Sequence, residues 1–278
     1  MITPSREMRV REITARSILN KSGITDWTVN CYAGCQHACT YCYARFASRF
    51  THPGEDWGSF VDVKVNAPGL LEREATRKAP GQVFVSSVCD AWQPLEGRYG
   101  LTRQCVEILL RHGFRLDILT KSALAARDLD VLAGSPVVEF GVTITTPDEG
   151  LGRLIEPWAS SVSERLALIE EARSKGLRTY LFLGPLMPGL SDTPEIVARM
   201  LKTARDLGVA HVYVDRLNPR YGVWPALRRF LLQHFPELVP TYQLTLFDAR
   251  VRAEYARRLS TRIHTVSKGI FEKIHLCF

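Results

Sequence analysis

Hydrophobic and polar positions along this chain repeat in a strand-then-helix order. Trp27 to Val29 is a short apolar run and predicts the first strand. Phe60 to Val65 alternates apolar and polar residues, which predicts an extra strand outside the main series. From Val83 the order becomes regular, with strands predicted over 83–88, 116–119, 137–144, 179–183 (stopped by Gly184-Pro185) and 209–214. Amphipathic stretches between them predict helices over 101–111, 123–132, 163–175 and 194–207. Pro194 opens the last of these, and Gly176 and Gly208 follow helix ends. Shorter helices are expected near 43–50 and 68–78. Strands alternating with helices at this spacing imply parallel βαβ units with right-handed crossovers. Six such strands fall short of the eight that close a TIM barrel. Residues 1–26 are polar and basic and read as an arm or edge piece, 27–220 as the barrel, and 221–278 as a mostly helical C-terminal cap.

The first strand leads straight into the densest chemistry of the chain. Cys35, Cys39 and Cys42 follow the spacing C-x3-C-x2-C, and Cys31 lies four residues upstream. Three thiolates on one tight loop can each bind one iron of a [4Fe–4S] cube, leaving the fourth iron open to an exogenous ligand. A second reading is a closed zinc site of Cys31, Cys35, Cys39 and Cys42, with His37 able to replace one of them. Zinc sites usually pair two short knuckles across a spacer, and no second knuckle exists here. A disulfide framework fits poorly with a long chain carrying seven cysteines.

Composition narrows the setting. A hydrophobic content of 46% supplies a full core, while no apolar run approaches the roughly 18 residues that would cross a membrane. Met1 to Arg11 has charge but no apolar stretch, so no signal peptide is expected, and the cytoplasm is the default location. The net charge of +7 suits a polyanionic partner without requiring one. Val251 to Phe278 carries six Lys or Arg against two acids, which fits a nucleic-acid surface but is read first as a solvated helix face.

In parallel α/β barrels the chemistry sits at the carboxyl ends of the strands. Those ends here include Ser87-Val88-Cys89-Asp90, Thr120-Lys121-Ser122 and Thr143-Ile144-Thr145. Taken with the cysteine run 30–45, the segments 87–96 (Ser-Val-Cys-Asp-Ala-Trp-Gln-Pro-Leu-Glu), 119–122 (Leu-Thr-Lys-Ser) and 155–157 (Ile-Glu-Pro) resemble one branch of the radical SAM superfamily. That branch is the spore photoproduct lyase or DNA-repair-photolyase-like one, and the resemblance spans residues 12–220. Cys31 departs from it, because the branch often carries proline there. The chain is also smaller than a true spore photoproduct lyase, so activity on thymine dimers is not implied.

The resemblance implies a partial (β/α)6 TIM-like barrel, a [4Fe–4S] cluster on Cys35, Cys39 and Cys42, and S-adenosylmethionine (SAM) cleaved to a 5′-deoxyadenosyl radical. It implies that Lys121 meets the SAM carboxylate and that Thr143 stands where the family has a SAM-contacting serine. Ser87 and Asp90 fall where other members hold the SAM amino group, and Tyr41 or Tyr43 faces adenine or substrate. Each has a plainer alternative: a solvated lysine, a strand threonine, a turn-capping aspartate, a packing ring. Cys89, if on a strand, shares a face with Ser87 and brings a thiol near the site, where some such lyases return a hydrogen atom to the product. The family cysteine aligns with Ser87, two residues away, and a buried cysteine is otherwise a small apolar residue. Cys105 reads as core, and Cys277 carries no assignment. Implied partners are an organic substrate (nucleic acid among them) and an electron donor of flavodoxin or ferredoxin type, with no membrane. The rival from another class is a non-catalytic binding protein built on a closed four-cysteine zinc or iron–sulfur site.

Overall fold

The structure, a computed structural model, describes residues 8–278. Among the described residues eleven strands form two sheets: β1 (Arg9–Ile13), β2 (Leu19–Lys21), β3 (Trp27–Val29), β4 (Tyr32–Ala33), β5 (Phe60–Lys64), β6 (Gln82–Val85), β7 (Arg115–Thr120), β8 (Val138–Ile144), β9 (Arg178–Leu186), β10 (His211–Arg216) and β11 (Ile274–Leu276). The main sheet runs β11-β10-β9-β8-β7-β6-β3-β2, and a small one runs β1-β5-β4. From β3 to β10 every neighbouring pair in the main sheet is parallel. The six expected strands therefore lie side by side in chain order, as right-handed βαβ units dictate. The sheet keeps two free ends, so this is a partial barrel and not a closed one.

Strand parity sorts the side chains onto two faces. Val83, Val85, Leu116, Ile118, Val138, Phe140, Val142, Leu181, Leu183, Val212 and Val214 join the main core under the helices. Their alternates, Phe84, Asp117, Leu119, Gly141, Thr143, Tyr180, Phe182, Tyr213 and Asp215, therefore share the concave face. Gly141 is required there. A Cβ on it would lie 2.3 Å from the ring of Tyr180, which crosses the sheet at that point so that its hydroxyl reaches Asp117 at 2.7 Å. On the helix side, Leu101–Arg111 buries Leu101, Cys105, Val106, Ile108 and Leu109 along one stripe. Each such large aliphatic side chain contributes ~1.5–3 kcal/mol by leaving water.

Four differences from the expected elements have local causes. The strand expected to reach Val88 ends at Val85, because Ser86 adopts a left-handed φ of 67° that breaks the extended run. The strand expected to stop at Gly184-Pro185 runs on to Leu186. A register shift in β10 between Val214 and Arg216 lets pairing resume beyond the proline, which has no N–H to give. The helix expected over 123–132 divides into a 3-10 stretch, Ala123–Asp128, and a short α-turn, Leu129–Leu132. Finally, a helix over Glu149–Ile155 appears where none was expected, opened by the Asp148 carboxylate accepting from the Leu151 N–H at 2.7 Å.

The C-terminal segment folds as helices Val223–His234, Val239–Phe247 and Ala249–Ser267, and then adds β11 in parallel to β10. Val223, Leu227, Leu231 and Tyr242 from these helices pack with Ile155, Met187 and Leu217 in a second apolar cluster. Cys39 and Tyr41 belong to that cluster, so the cap rests directly on the cysteine loop.

Candidate active site

Backbone geometry explains the shape of the cysteine loop. Gly34 has φ 93°, and a Cβ on it would lie 2.4 Å from the carbonyl oxygen of Phe60, so only glycine fits. Between Cys35 and Cys39 the chain turns through Ala38, held at φ 54°. A left-handed alanine is strained, and such strain persists where surrounding contacts enforce it. Turn hydrogen bonds run from the Cys42 N–H to the Cys39 carbonyl (3.2 Å) and from the Ala38 N–H to the Cys35 carbonyl (3.4 Å). Cys35 and Cys39 are buried, and Cys42 is half-buried.

The loop is clamped from two sides. On one side, the Gln36 N–H donates to Gln93 Oε1 (2.9 Å), Gln93 Nε2 donates to the Gly34 carbonyl (3.3 Å), and Gln36 Oε1 accepts from the Leu95 N–H (2.6 Å). The same segment holds Glu96, which is fully buried and accepts from the Tyr32 hydroxyl, the Thr102 N–H and Arg127. Trp92 Nε1 donates to Asp128 Oδ2 at 2.8 Å. The run 90–96 is thus a bracket for the loop. On the other side, the Thr40 N–H donates to the Ile155 carbonyl (2.9 Å), and the Tyr41 hydroxyl donates to Glu156 Oε1. Glu156 Oε1 also accepts from Thr145 Oγ1 (2.8 Å), while Oε2 accepts from Arg165 Nη2 (2.5 Å). Arg165 is itself buried and donates to the Thr143 carbonyl at 2.8 Å.

Charges converge on this loop. Burial pushes the Cys39 thiol up to about 12, and Lys121 draws it partly back. Burial likewise raises Cys35, with the Asp90 carboxylate adding to it, and raises Cys42 against the pull of the Ala44 N–H and Lys121. Three protonated thiols are the state such burial favours without metal, and metal binding would release those protons. Burial lowers the Lys121 ammonium, but Cys39, Glu156 and Asp90 outweigh it and the net shift is upward. Burial raises Glu156, yet Arg165 and Lys121 overcome it and hold the carboxylate below its ordinary range. The side chain at the end of β7 therefore carries its charge next to the thiols.

The expected site residues fall into distinct places. Tyr41 is buried, with its hydroxyl bonded to Glu156 and Thr145. Tyr43 is the exposed one of the pair, and its hydroxyl donates to the Ser87 carbonyl, joining the loop to the end of β6. Ser87 Oγ accepts from Thr28 Oγ1 (3.1 Å) and Asn30 Nδ2 (3.4 Å). Both Asp90 oxygens are engaged, by the Trp92 N–H (3.0 Å), Thr120 Oγ1 (2.7 Å) and the Lys121 N–H (2.8 Å). Its carboxylate caps the turn and orients the β7 end. Thr143 lies buried on the concave face, paired in register with Phe182.

Cys89 lies off the strand that was expected to carry it, since β6 has ended four residues earlier. Its thiol lies 3.5 Å from Ser86 Oγ and from the Tyr32 carbonyl, and burial raises it to about 12. Cys31 stands apart from the other loop cysteines: its thiol donates to Cys105 Sγ at 3.5 Å in the main core. Among the described residues no three His, Cys, Asp or Glu side chains converge closely enough for a single ion, as a closed zinc site needs. In a cubane each thiolate takes its own iron, so a common centre is not required. Cys277, without an expected role, follows β11, where its N–H donates to the Val214 carbonyl at 3.0 Å.

In the sequence Asn30, Tyr32, Gln93, Glu96 and Glu156 stand out only as members of motifs, and Arg165 does not stand out at all. The signal that would have found Glu156 is the helix cap at Asp148, which predicts a turn of helix ending on that carboxylate. In the basic C-terminal helix Arg257 and Arg258 share Glu254, and Arg262 pairs with Asp192. No helix among the described residues is long and apolar enough to cross a membrane.

Residues 29–204 match the Radical SAM superfamily. An uncharacterised protein of Methanocaldococcus jannaschii is 34% identical over 233 residues, covering 83% of this chain and 85% of the relative. A Radical SAM Nalpha-GlyT isomerase of Pseudomonas phage M6 is 24% identical over 209 residues, covering 73% of this chain and 42% of that protein. In fold the chain is similar to spore photoproduct lyase complexed with dinucleoside spore photoproduct. That match has a TM-score of 0.69 and 15% identity, covering 97% of this chain and 82% of the other. A variant of the same lyase with bound AdoMet and the dinucleoside gives a TM-score of 0.70 over the same shares.

Proposed function

The chain belongs to the radical SAM superfamily, an enzyme superfamily, and from that premise we propose that Cys35, Cys39 and Cys42 hold a [4Fe–4S] cluster and that SAM binds beside it at the strand ends. The observation that carries this reading is the junction of the three-thiol loop with Lys121, a half-buried cation kept charged at the end of β7. The donor set suits iron: soft thiols on one loop, clamped at Gln93 and at Glu156, with Cys31 turned away toward Cys105. When bound, the reduced cluster and SAM supply homolytic cleavage of a carbon–sulfur bond and a 5′-deoxyadenosyl radical able to abstract hydrogen.

The protein's own residues bind, orient and exclude water. Lys121 meets the SAM carboxylate with a charge-assisted hydrogen bond. Thr143 and Ser87 supply polar contacts on the concave face, and Tyr43 closes the side between the loop and the β6 end. Tyr41, Glu156 and Arg165 are positioning residues that fix Cys39 and Cys42 without touching substrate. Asp90 orients the Lys121 backbone. The substrate is an organic molecule presented at the strand ends. Nucleotides are the first class to test, because the lyase of similar fold is complexed with a dinucleoside.

Anaerobic reconstitution should give about four irons per chain, as a cubane requires. Dithionite should then release 5′-deoxyadenosine from SAM, and Cys39→Ala should do neither. Deuterium transfer from labelled oligonucleotides into 5′-deoxyadenosine scores the substrate class. A full cluster that never cleaves SAM would sink the reading in favour of a binding protein.

A further inference from the structure

Asp215 is the last concave-face residue of β10, one alternation beyond Tyr213, and it is half-buried. Val214 pairs with Leu183 and Arg216 with Leu186, so Gly184 and Pro185 together stand opposite the single residue Asp215, as in a β-bulge. A Cβ on Gly184 would lie 2.9 Å from the Asp215 carbonyl oxygen and 3.2 Å from its nitrogen, so only glycine lets the strands close there. The Gly184 carbonyl accepts from Thr145 Oγ1 at 2.9 Å, which ties the bulge to the Glu156 network that holds the cysteine loop. Bulges beside active sites re-aim side chains, and this one fixes the end of β10.

The carboxylate so placed is short of partners. Among the described residues its side chain accepts one hydrogen bond, from the Arg216 N–H to Oδ1 at 2.8 Å. By alternation Arg216 turns to the other face, where its guanidinium lies 5.8 Å over the ring of Phe278. Burial raises the Asp215 carboxyl, and Arg216 pulls it back only in part. By contrast, Asp90 accepts three hydrogen bonds, and Glu156 accepts from Tyr41, Thr145 and Arg165. A half-buried carboxylate with one neutral donor is costly, and such groups gather at functional sites.

Asp215 also stands apart from the residues assigned to SAM. Ser87, Lys121 and Thr143 belong to the ends of β6, β7 and β8. Thr143 is in register with Phe182, and Phe182 with Tyr213. Asp215 therefore lies two strands beyond Thr143, about 10 Å across the sheet, and one step nearer the strand ends. It still faces the same space as Lys121. Burial raises the Tyr43 hydroxyl to about 12, Cys42, Cys89 and Asp215 add to this, and Lys121 opposes it.

From this placement we propose that Asp215 recognises the substrate, and that the substrate carries a cationic nitrogen, an ammonium or a guanidinium, that pairs with its carboxylate. The assignment rests on the strand-end reading of the site given above. A molecule lying beside SAM on the concave face reaches Asp215, and a cation there supplies the charge-assisted hydrogen bond that Oδ2 lacks. An uncharged group of the same shape leaves the carboxylate without a counter-charge.

The test uses the reconstituted holoenzyme with SAM bound and the cluster left oxidised, so that nothing turns over. Benzylamine and benzyl alcohol are matched probes that differ in the cation. Saturation-transfer NMR titrations near neutral pH should show the amine bound about 10- to 150-fold more tightly, the span of one charge-assisted hydrogen bond. Asp215→Asn keeps the shape and removes the charge, and should bring the amine down to the affinity of the alcohol. Iron content and SAM affinity should stay at the parent values. Equal binding of the two probes by the parent, or no binding of either, would overturn the assignment whatever the variant does. So would an Asp215→Asn protein that keeps the parent's preference for the amine. A loss of SAM affinity of about tenfold or more in Asp215→Asn would give the carboxylate to SAM's own ammonium and take it from the substrate. A parent protein that holds its cluster and binds no SAM fails the reading of the site beneath the inference, a result separate from all of these.

Discussion

The hydroxyl of Tyr41 donates to the carboxylate of Glu156, 115 residues further along the chain, inside a buried network that also holds Thr145 and Arg165. Tyr41 sits directly before Cys42, so the network fixes the cysteine loop from within the barrel. Glu156→Leu strands the buried Arg165 without its counter-charge, a loss of about 3–5 kcal/mol. At this chain length that lowers the melting temperature by roughly 10 °C. Tyr41→Phe removes one hydrogen bond to a charged group, about 1.5–3 kcal/mol, and should also speed iron loss to a chelator. Calorimetry and chelator-release kinetics check both effects. Iron release from Tyr41→Phe at the parent rate would mean the network stabilises the fold without positioning the loop.

Cys31 separates the open cluster from the closed site. Its thiol faces Cys105 in the main core, so Cys31→Ala should keep full iron content and cost about 1 kcal/mol, the loss of a small buried group. Cys39→Ala should abolish the cluster. Iron analysis of the two variants after anaerobic reconstitution is sufficient. Equal loss in both would restore the four-cysteine reading.

Much of the fold was readable because the strands and helices of the series declare themselves by period. Val138–Ile144 and Leu101–Arg111 alternate at 2.0 and 3.6 residues, so their faces follow from local sequence. The cysteine spacing was readable for the same reason, being local. What was hidden depends on distant partners. β11 has three residues and exists only because β10, some 60 residues earlier, offers an edge. The left-handed Ser86 that ends β6 early carries no glycine to announce it. Nothing in the spacing of Cys31 shows that its thiol turns toward Cys105 rather than Cys35. The motif 90–96 was recognisable as a string, but its work as a clamp on Gly34 and Gln36 became visible only in three dimensions.

Lys121 provides a direct test of the strand-end site. A charge-assisted hydrogen bond from its ammonium to the SAM carboxylate contributes about 1.5–3 kcal/mol, roughly 10- to 150-fold in affinity. Lys121→Ala should weaken SAM binding by that order, measured by calorimetric titration of the reconstituted protein. Iron content and the visible spectrum should persist. Lys121→Arg should recover part of the loss, since a planar fork does not occupy the place of a point charge. An unchanged dissociation constant in Lys121→Ala would remove this lysine from the site.

Asp117 predicts a pH dependence of stability with an unusual sign. It lies buried on the concave face, accepting from the Tyr180 hydroxyl, and burial raises its pKa from 3.8 to about 6. Between those values the folded state binds more protons than the unfolded state, so stability falls as pH rises through the window. The two-unit difference amounts to about 3 kcal/mol, fully expressed above pH 6 and absent below the unfolded pKa. Asp117→Asn keeps an oxygen for Tyr180 to donate to and has no proton to lose. Urea denaturation of the metal-free protein at pH 4, 5, 6 and 7 should show the variant gaining on the parent by about 2 kcal/mol across the series. Parallel curves for the two proteins would mean that Asp117 titrates at its ordinary value and that water or a cation reaches it on the concave face.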